Sequence, residues 1–366
     1  MNRKLSIMLF LLLGGALLLS GCGSPPALSW PGVAAGEDVL YVTATGKLVA
    51  LRGNNGTQFW EFPRPEDKKK IGLIFSVPTV GEDTVYVGSV NGVFYALDAA
   101  TGSVRWMYPD EEDKKAPGFR QPGAFYGAAL VKDNTLYVGS SDHRLYALDA
   151  STGDLRWTFQ AGGWVWATPV EQAGILYVAS MSHSLYALEA ESGREIWRFQ
   201  AQGAIPAAPA LAGDVLYFGD FDSKLYAVRA ADGSPEWTQP FSTGGWIWGT
   251  PLVVSDTVYF GSLDGYIYAV DARNGEERWR VNTGSPVRAG PIALNDWLAV
   301  GNEEGQLYVL DMNTGQRQWP FSAGAPLYTS PILAGDLLCI VSHDGHVYAL
   351  DPTSGGTKWT MSVTGK

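Results

Sequence analysis

The sequence predicts an all-β protein, an eight-bladed β-propeller of four-stranded blades. Three observations carry this expectation: a Gly-x-x-x-Trp motif in eight copies, a pair of strand patterns upstream of each copy, and turn residues between them. The tryptophans are Trp60, Trp106, Trp157, Trp197, Trp237, Trp279, Trp319 and Trp359, at spacings of 46, 51, 40, 40, 42, 40 and 40. Four residues before each stands Gly56, Gly102, Gly153, Gly193, Gly233, Gly275, Gly315 or Gly355. A unit of about forty residues cannot bury both faces of its sheet alone, so neighbours must stack. Eight such units fit a closed propeller. An open solenoid would expose two sheet ends, and no capping sequence is visible.

Each unit reads as strands A to D, from the inside outward. A short segment with Pro78, Pro169, Pro209 or Pro251 opens strand A. Strand B follows, as in Leu136-Tyr-Val-Gly-Ser140. Asn91-Gly92, Asp264-Gly265 and Asp344-Gly345 mark the B–C hairpin, because such turns require positive φ. Strand C is typified by Leu145-Tyr-Ala-Leu-Asp149. The C–D turn, Asp-Ala-x-Thr-Gly, pairs an aspartate that bonds backbone amides with a left-handed glycine. Strand D then carries the tryptophan.

Composition agrees. The 366 residues are 12% aromatic and only 17% charged, with 44 glycines, which suits a turn-rich β protein. A net charge of −11 without a basic stripe argues against a nucleic-acid partner. Asn2-Arg3-Lys4, the apolar run Leu5 to Leu19 and Leu19-Ser-Gly-Cys22 resemble a bacterial lipobox. The expected organisation is a lipoprotein signal peptide (1–21), a lipidated Cys22 with a linker (22–30) and the propeller (31–366). Acyl chains would tether the chain outside the cytoplasm, at the cell membrane or the periplasmic face of the outer membrane. The other cysteine, Cys339, falls in a strand B and reads as buried, so no disulfide framework is available.

The repeat, as in Ala150-Ser-Thr-Gly-Asp-Leu-Arg-Trp157, resembles the tryptophan-docking repeat of PQQ-type quinoprotein propellers over roughly residues 33–363. The resemblance implies that each tryptophan packs across the gap between adjacent blades. Local departures are Val49 for the strand-C Tyr, Ala299 and Cys339 for the strand-B Tyr, and Gly53, Met312 and Pro352 for the Ala.

Function is expected where the copies diverge. Insertions lie in two D–A connections, Pro63 to Ile71 and Pro109 to Pro122. Strand alternation places D–A connections and B–C turns on one face, and His143, His183, His343 and His346 sit in or beside those turns. His143 and His183 take a slot held by Gly in other copies. No metal site is expected from them. Two octapeptides, GGWVWATP (162–169) and GGWIWGTP (244–251), enter strand A in blades four and six. Aligning the strand-A entries gives a candidate binding funnel at the channel mouth: Phe75, Tyr126, Trp164, Trp166, Trp246, Trp248, Arg288 and Tyr328. The same aromatics could instead fill wedges between blades, and the mouth positions so aligned contain no Asp or Glu.

A lipobox followed by eight such repeats resembles the BamB family, lipoproteins of the outer-membrane β-barrel assembly machinery. That resemblance implies a non-catalytic monomeric propeller that docks a protein or peptide partner through loops on one face. No cofactor is expected. The alternatives are an extracytoplasmic sensor or ligand-binding protein and a quinoprotein dehydrogenase using PQQ and calcium. Against the enzyme, the chain has no Cys-Cys dipeptide.

Overall fold

The structure, a computed structural model, describes residues 31–364 apart from residue 66 and residues 68–70. The signal peptide, Cys22, the linker and Trp30 lie outside the described residues. The expected all-β fold is what the chain adopts. Among the described residues thirty-two strands form eight antiparallel four-stranded sheets, each built from consecutive strands in the order A-B-C-D. In blade one these are β1 (Gly32–Ala35), β2 (Val39–Ala44), β3 (Lys47–Arg52) and β4 (Gln58–Phe62). Blade eight runs from Ile332–Ala334 to Thr357–Ser362.

The hydrophobic core is not central. It is divided among eight clusters, each filling the gap between two neighbouring blades. One joins Leu216 and Phe218 to Leu185 and Ala187, and another joins blade eight (Cys339, Val341, Val347) to blade one (Leu40, Val42, Val49). Cys339 is wholly buried in that last gap, and burial pushes its thiol up to about 12.

Across each gap the repeat motif works as a donor and a receptor. The indole N–H of Trp60 donates to the Ala99 carbonyl of the next blade at 3.0 Å, and that of Trp106 to Ala150 at 3.0 Å. Trp197, Trp237, Trp279 and Trp319 repeat the bond to Ala230, Ala272, Met312 and Pro352. Each acceptor lies three residues before the receiving glycine. That glycine is required twice over. Gly102 has φ +70°, and a methyl carbon on it would lie 2.7 Å from the Trp60 ring. The strand-B tyrosine donates to the same carbonyl, Tyr41 to Ala99 at 3.2 Å and Tyr86 to Ala150 at 3.2 Å. The ring closes by the same contact, with Trp359 donating to Gly53 at 2.9 Å and its indole resting on Gly56.

The C–D turns are held as their sequence suggests. Asp98 Oδ1 accepts the Thr101 N–H at 2.9 Å, and Asp351 Oδ1 accepts the N–H groups of Thr353 and Ser354, both at 3.0 Å. The Arg105 hydrogen bond holds Asp98 down at about 2, and backbone N–H bonds from the turn with Lys358 beside it hold Asp351 at about 2.

Trp237→Ala, which empties a buried docking site, is expected to lower unfolding free energy by about 3–5 kcal/mol in urea titration. Gly275→Ala should also destabilise, although it removes nothing, because φ is +75° and the added carbon meets the Trp237 ring at 2.9 Å. For the turn aspartates the folded pKa lies below the ordinary 3.8. Their contribution is therefore complete above that value and lost as pH falls through about 2. Urea midpoints should accordingly be flat above about pH 5 and fall between about pH 4 and 2, and Asp98→Asn should flatten that fall.

Candidate functional site

Each D–A connection is pinned between two B–C turns. The Trp164 carbonyl accepts the N–H of Met181, in the turn of the blade it enters, at 2.9 Å. The next N–H, of Val165, donates to Ser140 in the preceding blade's turn at 3.2 Å. The pattern recurs with Ala124 and Phe125, Ala204 and Ile205, Trp246 and Ile247, Pro286 and Val287, and Pro326 and Leu327. Connections and B–C turns therefore share one face, with the insertions and the histidine-bearing turns. His143 and His183 take the left-handed turn slot, at φ 73° and 67°.

These bonds explain the octapeptides residue by residue. A methyl on Gly163 would sit 2.7 Å from the Ser182 amide nitrogen, and one on Gly245 2.6 Å from that of Asp264. At these two positions a side chain would collide with the turn backbone, whereas Ser285 and Ala325 occupy the equivalent positions of blades seven and eight. Val165 and Ile247, between the tryptophans, are fully buried. They press so closely on Gly139 and Gly219 that a methyl there would lie 2.4 and 2.2 Å from their side chains. The interblade wedge is thus the middle residue of Trp-x-Trp. Extended backbone turns the two flanking indoles the other way.

The residues three before the strand-A proline slot meet around a cavity of about 540 Å³ at the channel mouth, with Phe75, Tyr126, Trp166, Pro206 and Trp248 as walls. Ala128, Ala167, Thr168, Ala207 and Thr250 are among its other lining residues, small because the inner strands crowd at the axis. Tyr126 meets Trp166 edge to face at 5.9 Å. Arg288 extends the series: its guanidinium lies 4.4 Å from the Trp248 ring centre and 5.2 Å from that of Tyr328. Trp164 and Trp246 stand behind the wall. Trp164 stacks on Trp166 at 5.2 Å, and Trp246 stacks on Phe221 at 4.7 Å. Of the eight funnel candidates, four line the cavity, Arg288 adjoins it through Trp248 and Tyr328 through Arg288, and two buttress it.

Alignment of strand-A entries alone missed a second set of residues. Glu303 accepts from Arg288 Nε and Nη2 at 3.0 and 2.8 Å, so a carboxylate does reach the mouth. Phe221 lies against both Trp246 and Trp248, and His343 meets Tyr328 at 5.0 Å. All three occupy one slot, the residue after the buried polar group that ends strand B (Asp220, Asn302 and Ser342). The slot repeats in the sequence, but only the hydrogen bond from turn to connection places it beside the mouth. Burial raises the Tyr328 phenol, with Glu303 adding to the shift and Arg288 opposing it. The Trp166 indole nitrogen is buried and makes no hydrogen bond among the described residues.

Among the described residues no three of His, Cys, Asp and Glu gather as metal ligands. An anionic quinone with calcium would need cations for its carboxylates and acids for its metal. The Arg288 and Glu303 that the mouth supplies are bonded to each other, so this donor set does not fit that group.

Repeat, docking and an asymmetric aromatic mouth define the class: an eight-bladed propeller of the PQQ-repeat type. The chain belongs to the family described as outer membrane protein assembly factor BamB, whose model matches residues 23–157, 122–265 and 263–366. BamB from Moraxella catarrhalis is 20% identical with a TM-score of 0.70, over 86% of this chain and 92% of that one. The computationally designed Ika8 protein is 15% identical with a TM-score of 0.68, over 79% and 86%. The quinohemoprotein alcohol dehydrogenase ADHIIG from Pseudomonas putida HK5 is 17% identical with a TM-score of 0.63, over 78% and 66%. No curated protein matches the sequence. At these identities the likeness to solved structures is one of fold.

Val165→Ala, which shortens the wedge, is expected to cost about 2 kcal/mol in urea titration. It should also red-shift tryptophan emission, because Trp164 and Trp166 lose their support. An unchanged spectrum would show that the wedge does not position the indoles.

Proposed function

We propose that the protein is a membrane-anchored, extracytoplasmic, non-catalytic scaffold that serves outer-membrane protein assembly and holds a protein partner on its mouth face. The observation that carries this reading is the concentration of asymmetry on that face. Docking residues repeat around the ring, whereas the insertions, the histidine turns, Arg288 and the aromatic walls share one side. Membership of the BamB family supports the assembly role, and the lipobox at Cys22 supports the anchor. Aromatic and arginine side chains in a concave site are what binding hot spots use.

The test is affinity purification of the full-length tagged chain from crosslinked cells of its own host. It is expected to carry a subunit of the outer-membrane assembly machinery, and Trp166→Ala with Trp248→Ala to reduce that yield at least tenfold. Recovery of no such subunit would sink the assembly role, and wild-type yield from the variant would move the docking surface off the mouth. The fold shared with ADHIIG motivates one further measurement. Calorimetric titration with PQQ and calcium is expected to give no stoichiometric heat, and tight one-to-one binding would restore the dehydrogenase reading.

A further inference from the structure

We infer that the channel-mouth cavity is a receptor for a guanidinium side chain carried by the protein partner. This rests on the reading that the mouth face is the docking face.

Three observations point to this chemistry. First, Trp166, Trp248, Tyr126 and Phe75 present aromatic surface around a cavity whose charged neighbours, Arg288 and Glu303, are already paired with each other. Arg288 and Phe221 already lie against Trp248, and Trp164 stacks on one side of Trp166. The electrostatic feature left to a guest is therefore the aromatic surface that still lines the cavity, and such surface attracts cations. Second, the chain itself shows what that surface accepts: the Arg288 guanidinium lies over both the Trp248 and Tyr328 rings. Third, the tips of the B–C turns that share the mouth face carry exposed carboxylates at Asp222, Glu304 and Asp344. A cation approaching the mouth therefore meets a negative rim before an aromatic interior, and the protein as a whole is at −11. A guanidinium stacks flat on indole faces, so arginine suits this site better than lysine.

The experiment uses the full-length chain in detergent and the peptide acetyl-(Arg-Gly)3-amide. Its counterpart carries citrulline, which keeps the shape of arginine and loses the charge. Binding read by tryptophan fluorescence and calorimetry is expected to be saturable, one-to-one and at least tenfold tighter for the arginine peptide. Trp166→Leu and Trp248→Leu should each weaken it at least fivefold. Trp166→Phe, which restores an aromatic face, should recover most of the loss, and thermal melts would confirm that each variant is folded. Equal affinity for the two peptides would overturn the inference. So would unchanged binding by folded Trp166→Leu, which would assign the effect to the acidic rim alone. Displacement of the peptide by phosphatidylcholine vesicles, with tighter Trp166-dependent binding of the vesicles, would overturn it in favour of a lipid ammonium. If the assembly subunit still co-purifies while the peptide fails to bind, this inference falls and the scaffold reading stands. Peptide binding without that subunit has the opposite meaning.

Discussion

The ring depends on one contact, an indole N–H donated across an interblade gap to a backbone carbonyl that sits three residues before a left-handed glycine. Seven blades donate this bond, and in the remaining one the Trp157 ring rests on Gly193. The tryptophan lies on the outer strand except in blade five, where Trp237 precedes a short outer strand, Phe241–Ser242, instead of sitting in it as expected. The receptor is in the C–D turn, so the blades join head to tail and the last must find the first. Trp359 does so on Gly53 and Gly56. Because the acceptor is main chain, its side chain is free to vary, which is why Gly53, Met312 and Pro352 stand where alanine is usual. In most blades a strand-B tyrosine reinforces the bond. Ala299 and Cys339 replace it in blades seven and eight, where Trp319 and Trp359 still donate.

This arrangement divides the labour between two ends of the blade. Stability resides in eight interblade clusters and their docking bonds. The connections at the mouth are held by backbone hydrogen bonds to the turns and by one buried wedge residue each. The residues on either side of the wedge are released from packing duty in the gaps, and there the blades differ most. A symmetrical scaffold can thus carry an asymmetric face with little cost to the fold.

Much of this was legible in the sequence, for identifiable reasons. A docking contact that recurs eight times imprints eight glycines and eight tryptophans at fixed separation, and hairpin turns imprint Asn-Gly and Asp-Gly. The convergence of Phe75, Tyr126, Trp166 and Trp248 also followed from register. The partners of that wall did not. Glu303, Phe221 and His343 come from turns 15 or more residues further along the chain than Arg288, Ala204 and Tyr328, and only a backbone bond between strap and turn brings them in. Nor did periodicity separate Trp166, on the cavity, from Trp164, stacked behind it. Both project to the same side of an extended strap, and the difference is one of depth.

The central claim is that the motif tryptophans are interblade hydrogen-bond donors that close the ring, whereas the Trp-x-Trp indoles belong to the mouth. Hydrogen exchange of individual indole N–H groups, resolved by NMR with single-site tryptophan assignments, tests it most directly. Trp60, Trp237, Trp279 and Trp359 should exchange with protection close to that of the core strands, and Trp164, which is more than a third exposed, orders of magnitude faster. Exchange of Trp359 as fast as that of Trp164 would mean that the first and last blades are not docked, and would contradict the account.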